Sequence, residues 1–135
     1  MSAIDGRFRS VLPATPEFRA NHTTREGFSQ YFENIITNGQ HLVDANNYLR
    51  QLQALLSDDI AHGGSLFDAA NKVKAKVLIV SATQDHMVNP LPALGFAKLI
   101  HAQTMVLESD CGHMAPGCEI NTVSTQINQF LNSQH

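Results

Sequence analysis

Two side chains of this sequence are placed to do chemistry together. Asp85 and His113 each follow an apolar run by one short turn. Val77, Leu78, Ile79 and Val80 lead through Ser81, Ala82, Thr83 and Gln84 to Asp85. Thr104, Met105, Val106, Leu107 and Glu108 lead through Ser109, Asp110, Cys111 and Gly112 to His113. A histidine held against a carboxylate can take the proton of an attacking hydroxyl, while the carboxylate fixes the imidazole tautomer and stabilises the imidazolium that forms. Those are two of the three roles in serine-type acyl transfer. The third is missing, because the elbow pattern G-x-S-x-G occurs nowhere in the 135 residues. Gly63-Gly64-Ser65-Leu66 comes nearest by composition, but no strand precedes it and Ser65 reads as a helix cap. Ser81 lies on the strand that leads to Asp85. Cys111 stands two residues before His113, and nothing in the sequence marks its thiol as activated.

The elements that must position this pair follow from periodicity. The two apolar runs read as buried strands. Between them, Asn89-Pro90 opens a helix with proline at its first position, and Leu91, Leu94, Ala97 and Ile100 give it an apolar stripe. Strand, helix, strand is a βαβ unit with parallel strands, so the loops that carry Asp85 and His113, 28 residues apart, emerge at one sheet edge. Open α/β sheets bind ligands at that edge.

Upstream the chain reads as helical. Residues 1–22, with Gly6, Pro13 and Pro16, show no sustained period and are expected to form an irregular arm, the exposed end of something larger. Thr23 and Glu26 make a capping-box pattern ahead of Phe28, Tyr31, Phe32, Ile35 and Ile36, with Asn38-Gly39 as the stop. A second helix is expected from about Asp44 to Ile60, with Leu49, Leu52, Leu56 and Ile60 on one side, ended by His62-Gly63-Gly64. Ser65 and Asp68 cap a short helix before the first strand. A last helix, from about Glu119 to Leu131, carries Ile120, Val123, Ile127, Phe130 and Leu131. The expected division is an arm at 1–22, a helical, lid-like segment at 23–64 and a βαβα part at 65–135.

Length and composition bound the possibilities. A chain of 135 residues fits one domain with one core. A formal net charge of -3, with nine scattered Lys and Arg, gives no reason to expect nucleic acid or an anionic membrane as partner. No apolar stretch reaches the roughly 20 residues that span a bilayer. The cysteines, Cys111 and Cys118, are too few to frame a disulfide-dependent fold, which fits a reducing, cytoplasmic setting but leaves a local disulfide open. Cys111, Cys118, His86 and His113 form a conceivable mixed metal set, but C-x-H-x4-C matches no specific zinc spacing. No metal and no cofactor are expected.

Val43-Asp44-Ala45-Asn46-Asn47-Tyr48-Leu49, the continuation through LRQLQALLSDDIAHGGSLFDAANKVKAKVLIVSATQDHMVNP, and the ending VLESDCGHMAPGCE resemble the C-terminal half of homoserine O-acetyltransferases, in the α/β-hydrolase superfamily. The resemblance covers roughly residues 24–132. It implies a partial α/β-hydrolase fold. Asn47-Tyr48-Leu49 and Asp59-Ile60-Ala61 would belong to the helical lid, Asp85 would be the triad acid and the histidine of Gly112-His113 the base. It also implies a place in amino-acid, specifically methionine, biosynthesis, with a serine that takes an acyl group from acyl-CoA and passes it to a hydroxyl such as that of homoserine. The acid-before-histidine order agrees.

The serine and the oxyanion donors of that family lie in an N-terminal half without counterpart in this sequence, and one such donor contributes ~3 kcal/mol of barrier lowering. The chain is therefore expected to be silent alone and to act with a partner chain, or as a homo-oligomer that pairs strand edges, on a small-molecule acyl donor and acceptor. The alternatives are a non-catalytic binding module derived from the same fold, and part of an esterase.

Overall fold

A computed structural model describes residues 13–40 and 44–133. The expectations for residues 1–12, Gly6 among them, and for Val43 lie outside the described residues. Two strands and seven α-helices are present among those described.

The arm is not irregular throughout. Pro16–His22 forms helix α1. Thr15 is its N-cap and accepts from the Phe18 N–H at 3.1 Å, and Pro16 fills the first turn, where its missing N–H costs nothing. Thr-Pro was the helix signal in a stretch otherwise lacking a period. The Thr23 N–H closes α1 on the Arg19 carbonyl, so Thr24 takes the cap expected of Thr23, accepting from the Gly27 N–H at 3.0 Å. Helix α2, Arg25–Gln40, runs through the expected stop at Asn38-Gly39, since an interior glycine costs only about 1 kcal/mol. The Arg19 guanidinium lies 4.5 Å from the Tyr31 ring centroid and ties α1 to α2.

Helix α3, Ala45–Ser57, starts at Asp44, whose carboxylate accepts from the Asn46 and Asn47 N–H groups, both at 3.0 Å. It ends before the expected Ile60. The Asp59 carboxylate accepts from the Ala61 and Gly63 N–H groups, a local alternative to continuing the helix. Helix α4, Leu66–Lys72, begins as expected with Ser65 accepting from the Phe67 N–H.

Strands β1, Leu78–Ala82, and β2, Gln103–Leu107, pair in parallel from Leu78↔Gln103 to Ala82↔Leu107. Helix α5, Pro90–Leu99, connects them, capped by Asn89 as expected. After β2 come a 3-10 turn, Gly112–Met114, the short helix α6, Ala115–Cys118, and α7, Ile120–Asn132.

The strands are less buried than their apolar runs suggest. In β1 only Ala82 is fully buried and in β2 only Leu107, while Gln103, Thr104 and Val106 are exposed. A pair of strands has two open edges and cannot bury both faces as a wide parallel sheet does. The core is correspondingly small: Ala82, Leu107, Cys111, Ala115 and Val123, with Phe18, Val80 and Met105 packed against it. It lies at the carboxyl ends of the two strands, beneath the loops that carry Asp85 and His113. No helix among the described residues is long and apolar enough to cross a membrane.

Candidate acid–histidine site

Asp85 is positioned by the ladder and by its own side chain. Beyond β1, the Thr83 N–H continues the parallel pairing to the Leu107 carbonyl at 3.0 Å, and the Asp85 N–H turns back to the Ala82 carbonyl at 3.3 Å. Asp85 Oδ1 then accepts from the Met87 and Val88 N–H groups at 2.9 and 2.8 Å. That fixes one carboxylate oxygen in an Asx-type turn and aims the other.

Asp85 Oδ2 meets His113 Nδ1 at 2.9 Å. An ionised carboxylate only accepts, so Nδ1 carries the hydrogen, and in the neutral ring Nε2 then keeps its lone pair. The Asp85 side chain is 14% exposed and that of His113 42%, so the acid is sheltered and the imidazole is open to a reactant. Burial is the largest influence on the Asp85 carboxyl and pushes its pKa up. It is outweighed by the hydrogen bonds from the Val88 N–H, from His113 and from the Met87 N–H, and by the His113 charge, so the carboxyl sits below its ordinary 3.8. Asp85 therefore stays ionised at neutral pH, as an orienting acid must.

His113 sits on the 3-10 turn, entered through Gly112 at φ +61°. A Cβ there would meet the Gln84 and Pro13 carbonyl oxygens, each at 3.1 Å, so this close approach of three backbone segments requires glycine. A disulfide between Cys111 and Cys118 spans the turn. Cys111 belongs to the core and Cys118 is exposed. The bond takes both sulfurs out of the mixed metal set weighed from the sequence, and among the described residues no three His, Cys, Asp or Glu side chains converge. It also leaves Cys111 without a thiol to serve as nucleophile.

The structure thus brings Asp85 and His113 together. His86 lines a hollow of about 440 Å³ with Thr83, Asp85, Asn89, Pro90 and Leu91, beside the pair. Ser65 caps α4, and Ser81 is half-buried within β1. Sequence reasoning missed the segment at residues 13–15, which packs against the His113 turn; its one legible sign was the Thr15-Pro16 helix start.

Comparison with known proteins finds relatives of one kind. The chain is 32% identical over 95 residues to a homoserine O-acetyltransferase of Methanosalsum zhilinae, across 67% of this chain and 19% of that protein. It is 33% identical over 96 residues to one of Methanococcus vannielii, across 67% and 20%. It is 33% identical over 99 residues to one of Trichormus variabilis, across 70% and 28%. No family model matches the chain. No solved structure matches it either. The chain spans only a fifth to little more than a quarter of these relatives. Over about two thirds of its own length, this is a homoserine O-acetyltransferase-like sequence.

Proposed function

We propose that this chain carries the base and the orienting acid of an acyl-transfer site of the α/β-hydrolase kind, with His113 as base and Asp85 as acid. The observation that carries the reading is the 2.9 Å bond from His113 Nδ1 to Asp85 Oδ2, made at the carboxyl ends of two parallel strands with the imidazole left accessible. A serine hydroxyl that approached Nε2 would lose its proton to it as the oxygen attacked an acyl carbonyl. Asp85 would hold the imidazolium until the proton passed to the leaving group. The sequence likeness favours an acyl-CoA donor and a hydroxyl acceptor such as homoserine, hence a role in methionine biosynthesis.

The nucleophile and the oxyanion donors then lie outside these 135 residues, and activity requires their association with the surface around β1 and β2. Complementation tests this. The chain is mixed with the separately produced serine-bearing portion of a homoserine O-acetyltransferase, and acetyl transfer from acetyl-CoA is followed. Recovered transfer that falls by on the order of 10³–10⁴-fold in Asp85→Asn and in His113→Ala is the expected result. Silence despite demonstrated association would overturn the reading in favour of a non-catalytic module. Ester hydrolysis without transfer to homoserine would move it to an esterase.

A further inference from the structure

Residues 13–15 grip the turn around His113 on both sides. Upstream, the Thr15 N–H donates to the Asp110 carbonyl at 3.2 Å, and the Thr15 hydroxyl donates to the same oxygen across 95 residues of sequence. Downstream, the Met114 N–H donates to the Pro13 carbonyl at 3.3 Å, an oxygen it reaches while also bonding the Cys111 carbonyl at 3.1 Å. Between these ties, a Cβ on Gly112 would lie 3.1 Å from the Pro13 oxygen and 3.4 Å from the Thr15 nitrogen. The residues three before and one after His113 are therefore held by one short stretch of distant chain.

That stretch is itself anchored. Ala14 is 3% exposed and Thr15 only 1%. The Thr15 oxygen accepts from the Phe18 N–H while its hydrogen goes to Asp110, and the Phe18 side chain packs against the core under the site. A buried hydroxyl with both capacities used is an expensive group to place, since a partner left unsatisfied would cost more than the bond gains. A cap alone does not require it, because caps work at exposed positions such as Asn89.

We infer that Thr15 is a positioning residue for His113. It touches neither member of the pair. It holds the Asp110–Met114 turn at the height where His113 Nδ1 reaches Asp85 Oδ2. The significance of His113 as base rests on the acyl-transfer reading above, but the position of its ring does not.

The experiment uses the unaccompanied 135-residue chain and reads the pair by NMR, so its failure and a failed complementation are distinguishable. Expected in Thr15→Val is loss of the single Nδ1–H signature in the His113 ring nitrogens, a rise of the Asp85 titration midpoint toward 3.8, and exchange of the Met114 amide about fivefold faster. Thr15→Ser, which keeps the hydroxyl, restores all three. A residue that only capped α1 would fray that helix and leave the His113 and Asp85 signals in place. Unchanged signals in a folded Thr15→Val overturn the inference. Should that variant fail to fold, the unsubstituted chain decides: cross-relaxation between Thr15 and Gly112 together with a protected Met114 amide sustains the brace, and the absence of both overturns it.

Discussion

Asp85 divides its two carboxylate oxygens between its own turn and His113. Oδ1 closes the turn over Met87 and Val88, and Oδ2 orients His113. Asparagine in its place can still accept from the two N–H groups but has no negative charge to hold an imidazolium, so Asp85→Asn separates the two jobs. The pKa of this group gives the sign of the acid response. Because the folded-state value lies below 3.8, its contribution to stability is fully present above 3.8 and is lost as pH falls through the folded value. Urea unfolding measured between about pH 6 and pH 2 should show constant stability from this group above 3.8 and a decline below it, less steep in Asp85→Asn. An equal slope in both proteins would contradict the role of Oδ2. Asp59, also lowered, first by its bonds from Gly63 and Ala61, adds a decline of the same sign in both, so the difference between the curves is what isolates Asp85.

At the scale of elements, the turn that presents His113 depends on two constraints near its start. Gly112 adopts φ +61° against the Pro13 and Gln84 carbonyls. Gly112→Ala should lower stability by about 2 kcal/mol, the left-handed penalty plus the displacement of a neighbour, read as a shift in urea midpoint. A change below half a kcal/mol would mean that the three segments are not packed as described. The Cys111–Cys118 bond closes a loop of about eight residues, and loop-closure entropy makes its loss by reduction cost about 2.5 kcal/mol. Unfolding with and without a dithiol reductant checks this, with Cys111→Ala/Cys118→Ala as the control that reductant should not affect. The strands, α5 and the caps at Asn89 and Ser65 were legible because each is encoded in a short local pattern. The length of α3 was not, because the Asp59 side chain captured the backbone groups that would have prolonged it.

At the scale of the molecule, the described residues bury little core. Leu49, Leu55, Leu56, Ile60, Leu66, Phe67 and Leu91 are all at least half exposed, and β1 and β2 pair only with each other among the described residues. Open parallel edges beside apolar helices favour association. Sedimentation at tens of micromolar should therefore show species heavier than one chain, and a lone monomer at all concentrations would mean that these exposed surfaces do not drive self-association. The sequence by itself determined the parallel βαβ unit, the presence of Asp85 and His113 at its carboxyl edge and the lack of a serine elbow, because these follow from strand-length apolar runs, a crossover helix and a motif that is either written or not. Only the tertiary structure decided that the pair is bonded Nδ1 to Oδ2, that a disulfide spans the histidine turn, and that Thr15 is buried against Asp110. Those facts depend on where chain segments up to 95 residues apart come to rest, and no local pattern of residue types encodes such a distance.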